Sequence, residues 1–211
     1  MRRMTVIALV LLAAGCGQAE RPYTPQPGPS GTSAATATAT ATAPATTTAR
    51  PSADAPGVET VEVGGGKLRV DIDWPARRDP LMRVITDWYL ASRKVMVSGS
   101  DRYLKDLDLE LQAVRQAYDG VRRYTEEDRR VQGVARLYGL RVTKVLDKGA
   151  QIDTCVDESK ARVISASSGE AVSPQPSIMR APYLQRALAH RGDDGVWRIR
   201  EFLYDKEGCA R

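Results

Sequence analysis

Between Leu81 and Val121 the apolar residues recur every three or four positions, and from Val131 to the end they alternate. That change of period is the strongest constraint on the fold, because a 3.6-residue period fits a helix and a two-residue period fits a strand buried on one face. Asp79-Pro80 is a helix start, a side-chain cap followed by proline in the first turn. Leu81, Val84, Ile85, Trp88, Ser92, Val95 and Met96 follow at helical spacing, and Gly99 closes the helix. A second helix is expected to open at Ser100 or Asp101. Its apolar face would be Leu107, Leu111, Val114, Tyr118 and Val121, with Asp119-Gly120 fraying its end. The charged stretch 124–130 reads as a loop or a short turn of helix.

The alternating part predicts strands over 131–146, 150–156, 161–166, 181–190 and 196–204. Bulges are expected at Gly133 or Gly139. Turns are expected at 147–149, at Asp157-Glu158-Ser159 and at Gly192-Asp193-Asp194-Gly195, and a loop with two prolines over 168–176. Ahead of the helices, Leu68, Val70, Ile72 and Trp74 alternate with charged residues. The stretch 58–74 therefore predicts a hairpin around Gly64-Gly65-Gly66, ended by Pro75. A hairpin, then two helices, then strands joined by short turns, make an α+β fold with an antiparallel sheet.

Only 58–211 can build this core. Residues 22–57 are almost wholly Pro, Thr, Ala, Ser and Gly, with a Thr-Ala alternation from Thr36 to Ala43 and Tyr23 as the one large side chain. Such a stretch cannot offset its ordering entropy. It predicts a disordered tether, spanning roughly 35 Å as a random coil. Thr and Ser with Pro is also the composition of O-glycosylated stalks.

Residues 1–21 predict export. Arg2 and Arg3 precede an apolar run from Thr5 to Ala14, which is too short to span a bilayer of roughly 30 Å but suits a signal peptide. The run ends in Leu12-Ala13-Ala14-Gly15-Cys16, which resembles the lipobox of bacterial lipoproteins, with Leu12 one place further from the cysteine than is usual. The resemblance implies that Cys16 is lipidated. The chain would then be anchored at the outer face of the cytoplasmic membrane, two acyl chains sufficing for stable attachment.

The net charge is +5, and 27 basic residues face 24 acidic ones from Val58 onward with both signs interspersed. Without a basic stripe, a nucleic-acid partner is not expected. Basic residues are 24 Arg and 7 Lys, and there is no Asn, a bias of high-GC genomes that points to an actinobacterial source.

The residues that could carry chemistry are few. With Cys16 lipidated, Cys155 and Cys209 remain, an even pair in an oxidising compartment, which predicts a disulfide. With one histidine and no Cys-X-X-Cys, no metal site is expected. No phosphate-binding or nucleophile-elbow motif occurs, and no cofactor is expected. His190 stands beside Arg191 at a hairpin mouth and is expected to be solvated. Arg122-Arg123 and Arg129-Arg130 are expected to be solvated loop charges. Asp87, Trp88, Tyr89, Tyr103 and Asp153 are candidates to line a cavity, with a surface position favoured for Asp153.

Asp87-Trp88-Tyr89, Gln132-Gly133, Asp153-Thr154-Cys155-Val156-Asp157, Ser168-Gly169 and the closing Gly195-Val196-Trp197-Arg198-Ile199 occur in an order that resembles the nuclear transport factor 2-like cone fold of actinobacterial lipoproteins and SnoaL-like cyclases. The resemblance runs from Leu81 to Arg211, so the first hairpin is an addition to it. It implies a curved sheet wrapped against helices with an open, partly apolar mouth. That fold hosts enzymes and binding modules alike. The sequence favours a non-enzymatic module for a small apolar ligand or an envelope protein. An isomerase- or cyclase-type enzyme is the alternative.

Overall fold

The computed structural model describes residues 57–209. The expected signal peptide, Cys16 and the expected tether up to residue 56 lie outside them, and Gly57, the last residue assigned to that tether, opens the first strand. The elements are β1 Gly57–Val63, β2 Leu68–Trp74, α1 Met82–Ser98, a 3-10 turn Asp101–Leu104, α2 Leu111–Thr125, β3 Arg129–Leu146, β4 Gly149–Ser165, a second 3-10 turn Ser177–Arg180, β5 Tyr183–Arg191 and β6 Trp197–Asp205. The strands form one six-stranded sheet in chain order, with both helices packed against it. This is the α+β, cone-like architecture expected, including the extra N-terminal hairpin.

One pairing departs from the expected antiparallel sheet. β2 and β3 run parallel, from Leu68 opposite Gly133 to Ile72 opposite Leu137. The cause is connectivity: both helices lie between these strands, and a crossover of that length carries the chain back to the end at which β2 began.

The first helix forms as its signals dictate. The Asp79 carboxylate accepts from the Leu81 amide at 2.9 Å, and the Asp79 carbonyl accepts from the Met82 amide. Gly99 ends the helix at φ 77°, donating to the Val95 carbonyl. Ile85, Trp88, Tyr89, Ser92 and Val95 are all buried along the face turned to the sheet.

The second helix starts later than its periodicity predicts. Leu109 bridges to Ile199 of β6, the Glu110 amide donates to the Ile199 carbonyl, and the Ile199 amide donates to the Asp108 carbonyl. Pairing with the sheet edge thus holds 108–110 extended, and α2 begins at Leu111 and continues through Gly120 to Thr125. Its buried face also differs: Ala113, Ala117 and Val121 are buried, while Leu111 is 73% exposed. The small alanines let the helix backbone approach its neighbours closely, which excludes the bulkier residues from that face.

Of the two expected bulge positions in β3, Gly139 carries one, an extra residue between Tyr138 and Arg141, whereas Gly133 stays in register opposite Ala161. Gly133 has φ 117°, and a Cβ there would stand 2.4 Å from the Lys160 carbonyl oxygen, so close strand approach demands glycine. Asp157-Glu158-Ser159, read as a turn between two strands, lies instead within one continuous β4. The turn chemistry is nonetheless present: the Asp157 carboxylate accepts from the Ser159 amide, and β4 carries an extra residue between Asp157 and Lys160 opposite Arg136 and Val134. The local signal makes a bulge because the flanking residues find partners on β3.

No helix among the described residues is long and apolar enough to cross a membrane.

A cavity floored by a closed ion-pair network

Trp88, Ser92 and Met96 follow one another at four-residue spacing on α1, with Tyr89 and Arg93 in the adjacent row. Opposite them, alternation in β4 and β5 puts Glu158, Tyr183 and Gln185 on the helix side of the sheet. Trp88, Arg93, Glu158, Tyr183 and Gln185, with Tyr124 of α2, border a cavity of about 370 Å³ between α1, α2 and the sheet. Val131, Ile178, Met179 and Tyr204 add apolar surface, and Asp119, Arg123 and Arg129 also border it. The Trp88 ring stacks on Phe202 with centroids 4.2 Å apart, which fixes that wall.

The floor is an ionic network. Arg93, 7% exposed, donates from Nε to Glu158 Oε1 at 2.6 Å, and its NH2 lies 2.5 Å from the same oxygen. NH2 also reaches the Tyr183 hydroxyl at 3.3 Å, and NH1 reaches Ser92 Oγ at 3.3 Å and Met96 Sδ at 3.1 Å. The guanidinium stacks over the Tyr89 ring at 4.2 Å. Glu158, 4% exposed, also accepts from the Tyr89 hydroxyl at 2.7 Å and from the Tyr183 hydroxyl at 3.4 Å. Burial opposes the charge on Arg93, but the Glu158 carboxylate beside it holds the guanidinium well above its ordinary range. Burial drives the Tyr89 and Tyr183 hydroxyls well above 10, so both keep their protons.

Two lining groups behave differently. Gln185 is 2% exposed, yet its side-chain amide makes no hydrogen bond among the described residues. The Tyr124 hydroxyl, whose pKa burial raises, likewise has no hydrogen-bond partner among them.

The residues singled out in the sequence are dispersed. Trp88 borders the cavity, and Tyr89 lies beneath it in the network. Tyr103 sits elsewhere, accepting from Arg102 at 2.7 Å under its guanidinium. Asp153 is not at the surface but 2% exposed on the other face of the sheet, where Arg186 reaches it at 2.9 Å and Arg141 at 3.4 Å. Two arginines from neighbouring strands offset the cost of burying it. Asp87 stands at the mouth of a smaller cleft of about 230 Å³ with Asp106, Asp108 and Trp197, and partial burial raises its carboxyl above the ordinary value. His190 is 42% exposed, as a solvated residue would be, but it has a partner acid: Nδ1 lies 2.9 Å from Glu110 Oε1, 80 residues upstream. Arg122 and Arg123 stand on the last turn of α2 and not in a loop; Arg129 and Arg130 open β3, and Arg130 donates to the Tyr124 carbonyl. Cys155 and Cys209 are joined, with Cα atoms 5.8 Å apart.

Arg93, Glu158, Tyr183, Gln185 and Tyr124 escaped sequence reasoning. Their one available signal was polarity at positions whose period calls for burial: Arg93 one turn beyond Tyr89, and Gln185 in register with Tyr183 and Ala187.

No protein-family model matches the chain, and no curated protein matches it. Similar solved structures include the intermembrane space region of the chloroplast protein ARC6, at 14% identity and TM-score 0.45, covering 61% of this chain and 98% of that one. A candidate aromatic ring hydroxylase from Novosphingobium aromaticivorans matches at 14% identity and TM-score 0.40, over 61% of this chain and 91% of that one. A candidate ketosteroid isomerase from Shewanella frigidimarina matches at 8% identity and TM-score 0.32, over 58% and 92%.

Proposed function

We propose that this chain is an exported lipoprotein, anchored through Cys16 at the outer face of the cytoplasmic membrane, whose tethered domain is a non-enzymatic module that binds a small ligand. The observation that supports it is the cavity of about 370 Å³ between the helices and the sheet. Its size is that of a small-molecule site, and apolar walls with a few convergent polar groups are what such sites present. An acid–base enzyme needs a cavity carboxylate free to take a proton. Glu158, the carboxylate in the floor, is clasped by Arg93, Tyr89 and Tyr183.

The test is mass spectrometry of compounds extracted from the full chain, isolated from its membrane in lipid nanodiscs. Gly120 borders the cavity, and a Cβ there meets nothing within 4 Å, so Gly120→Leu adds bulk at the cavity border without a clash at Cβ. A compound retained by the native chain and lost in Gly120→Leu is the expected result. Extracts no different from those of empty nanodiscs would count against the binding role.

An isomerase- or cyclase-type enzyme is favoured by one observation, the raised Asp87 carboxyl in the smaller cleft. A turnover of the native chain abolished by Asp87→Asn, with folding unchanged, would establish that alternative.

A further inference from the structure

The groups around the cavity divide into those whose hydrogen bonds are made and those whose are not. Arg93 has five N–H donors, and Glu158, Tyr183, Ser92 and Met96 engage all three of its nitrogens. Both Glu158 oxygens accept, Oε1 from Tyr89 and Arg93 and Oε2 from Tyr183. The pair is electrically closed and offers a ligand neither a free cation nor a free anion. Of the remaining bordering charges, Arg129 is paired with Glu127 at 3.0 Å, and Arg123 and Asp119 are exposed, opposite in sign and screened by water.

Gln185 is the exception in the interior. Gln185 as a residue is 2% exposed, borders the cavity and has no hydrogen-bond partner for its amide among the described residues, so water or a ligand must satisfy that amide. Tyr124 of α2 adds a second unspent group at the border of the cavity. Both are uncharged, and each can donate and accept. A carboxylate or ammonium set against them would lose its hydration and meet an opposite charge only at the exposed rim, a large penalty. A hydroxyl or carbonyl would exchange its water for a direct hydrogen bond at little cost.

We infer that the cavity selects an uncharged molecule with an apolar body and one inward-facing hydroxyl or carbonyl, anchored on the Gln185 amide. This rests on the proposed binding function and adds the chemical class of the ligand. Trp88, Met96, Val131 and Met179 supply the apolar walls. The specificity-determining contact is Gln185, because the other polar groups of the floor are committed to one another.

The test is equilibrium dialysis of the full chain in lipid nanodiscs, with empty nanodiscs subtracted. Three probes of one shape are compared at neutral pH: 2-naphthol, uncharged and hydroxylated; 2-naphthoate, an anion; and naphthalene. The expected result is that 2-naphthol binds at least about tenfold more tightly than 2-naphthoate. Gln185→Leu should weaken 2-naphthol about five- to tenfold, the worth of one neutral hydrogen bond, and leave naphthalene within about twofold. Gln185→Met, which keeps the length of the side chain, is the second variant should the leucine fail to fold. Binding of 2-naphthoate equal to that of 2-naphthol, or 2-naphthol affinity unmoved in a folded Gln185 variant, overturns the inference while the cavity remains a ligand site. Absence of binding by all three probes removes the binding function and the inference together.

Discussion

Arg93 of α1 donates to Glu158 of β4 across 65 residues of chain at 2.6 Å, and this contact ties the first helix to the centre of the sheet beneath the cavity. Both partners are buried, so neither charge can be satisfied by water if the other is removed.

Removing one partner should therefore cost far more than removing both. Arg93→Met or Glu158→Gln alone is expected to destabilise the domain by about 3–5 kcal/mol. The double replacement Arg93→Met with Glu158→Leu should recover much of that loss, because the unpaired charge disappears. Urea denaturation of the four proteins measures the coupling, and strictly additive losses would refute it.

Stability should decline in alkali through the two buried tyrosines. Tyr89 and Tyr183 have folded pKa values well above 10 because burial disfavours the phenolate. Above pH 10 the unfolded chain loses these protons and the folded chain keeps them, so the unfolded state gains stability as pH rises. Their contribution is complete below the unfolded pKa and is lost progressively above it. Tyr89→Phe and Tyr183→Phe should each flatten the fall, as read from unfolding midpoints between pH 9 and about pH 11.

The Cys155–Cys209 bridge closes a loop of 54 residues' separation and holds the C-terminal segment on the face of the sheet opposite the helices. Gly208 packs there against Leu184, where a Cβ would stand 2.7 Å from the Leu184 Cβ. The chain-entropy relation gives about 4 kcal/mol for such a loop. Cys155→Ala with Cys209→Ala should lower stability by up to that amount, and thiol titration of the unreduced, denatured chain should find neither cysteine free.

Anchoring is tested at Cys16. If lipid on this residue holds the chain at the membrane, Cys16→Ser should either appear in the medium or stay unprocessed with its signal peptide. A Cys16→Ser protein that is cleaved and still partitions into detergent would exclude the lipid anchor.

Local chemistry made most of the architecture legible. Asp79, Pro80 and Gly99 bound α1 because capping and left-handed backbone are local events. Alternation in Leu68, Val70 and Ile72 marks the buried face of β2 for the same reason. The failures occurred where a distant segment outbid a local preference. The edge of β6 claimed 108–110 from the second helix, and paired neighbours converted the turn signal at 157–159 into a bulge. Exposed Leu111 and buried Ala113 and Ala117 exchanged the roles that hydrophobicity assigns them, because close packing selects shape before size.

The sequence by itself determined the order of elements, the segment able to build a core and the cysteine pair left for a bridge, since each follows from period, composition or count. Only the tertiary structure decided which polar residues meet. Glu158 is a turn residue by its neighbours and Arg93 a surface residue by its charge, yet each is buried because the other is there. Gln185 stands out for the opposite reason: the fold buries it beside a completed network and leaves its amide facing the cavity. Burial of a polar group depends on its partner, and a partner 65 residues away is a property of the fold and not of any local stretch of chain.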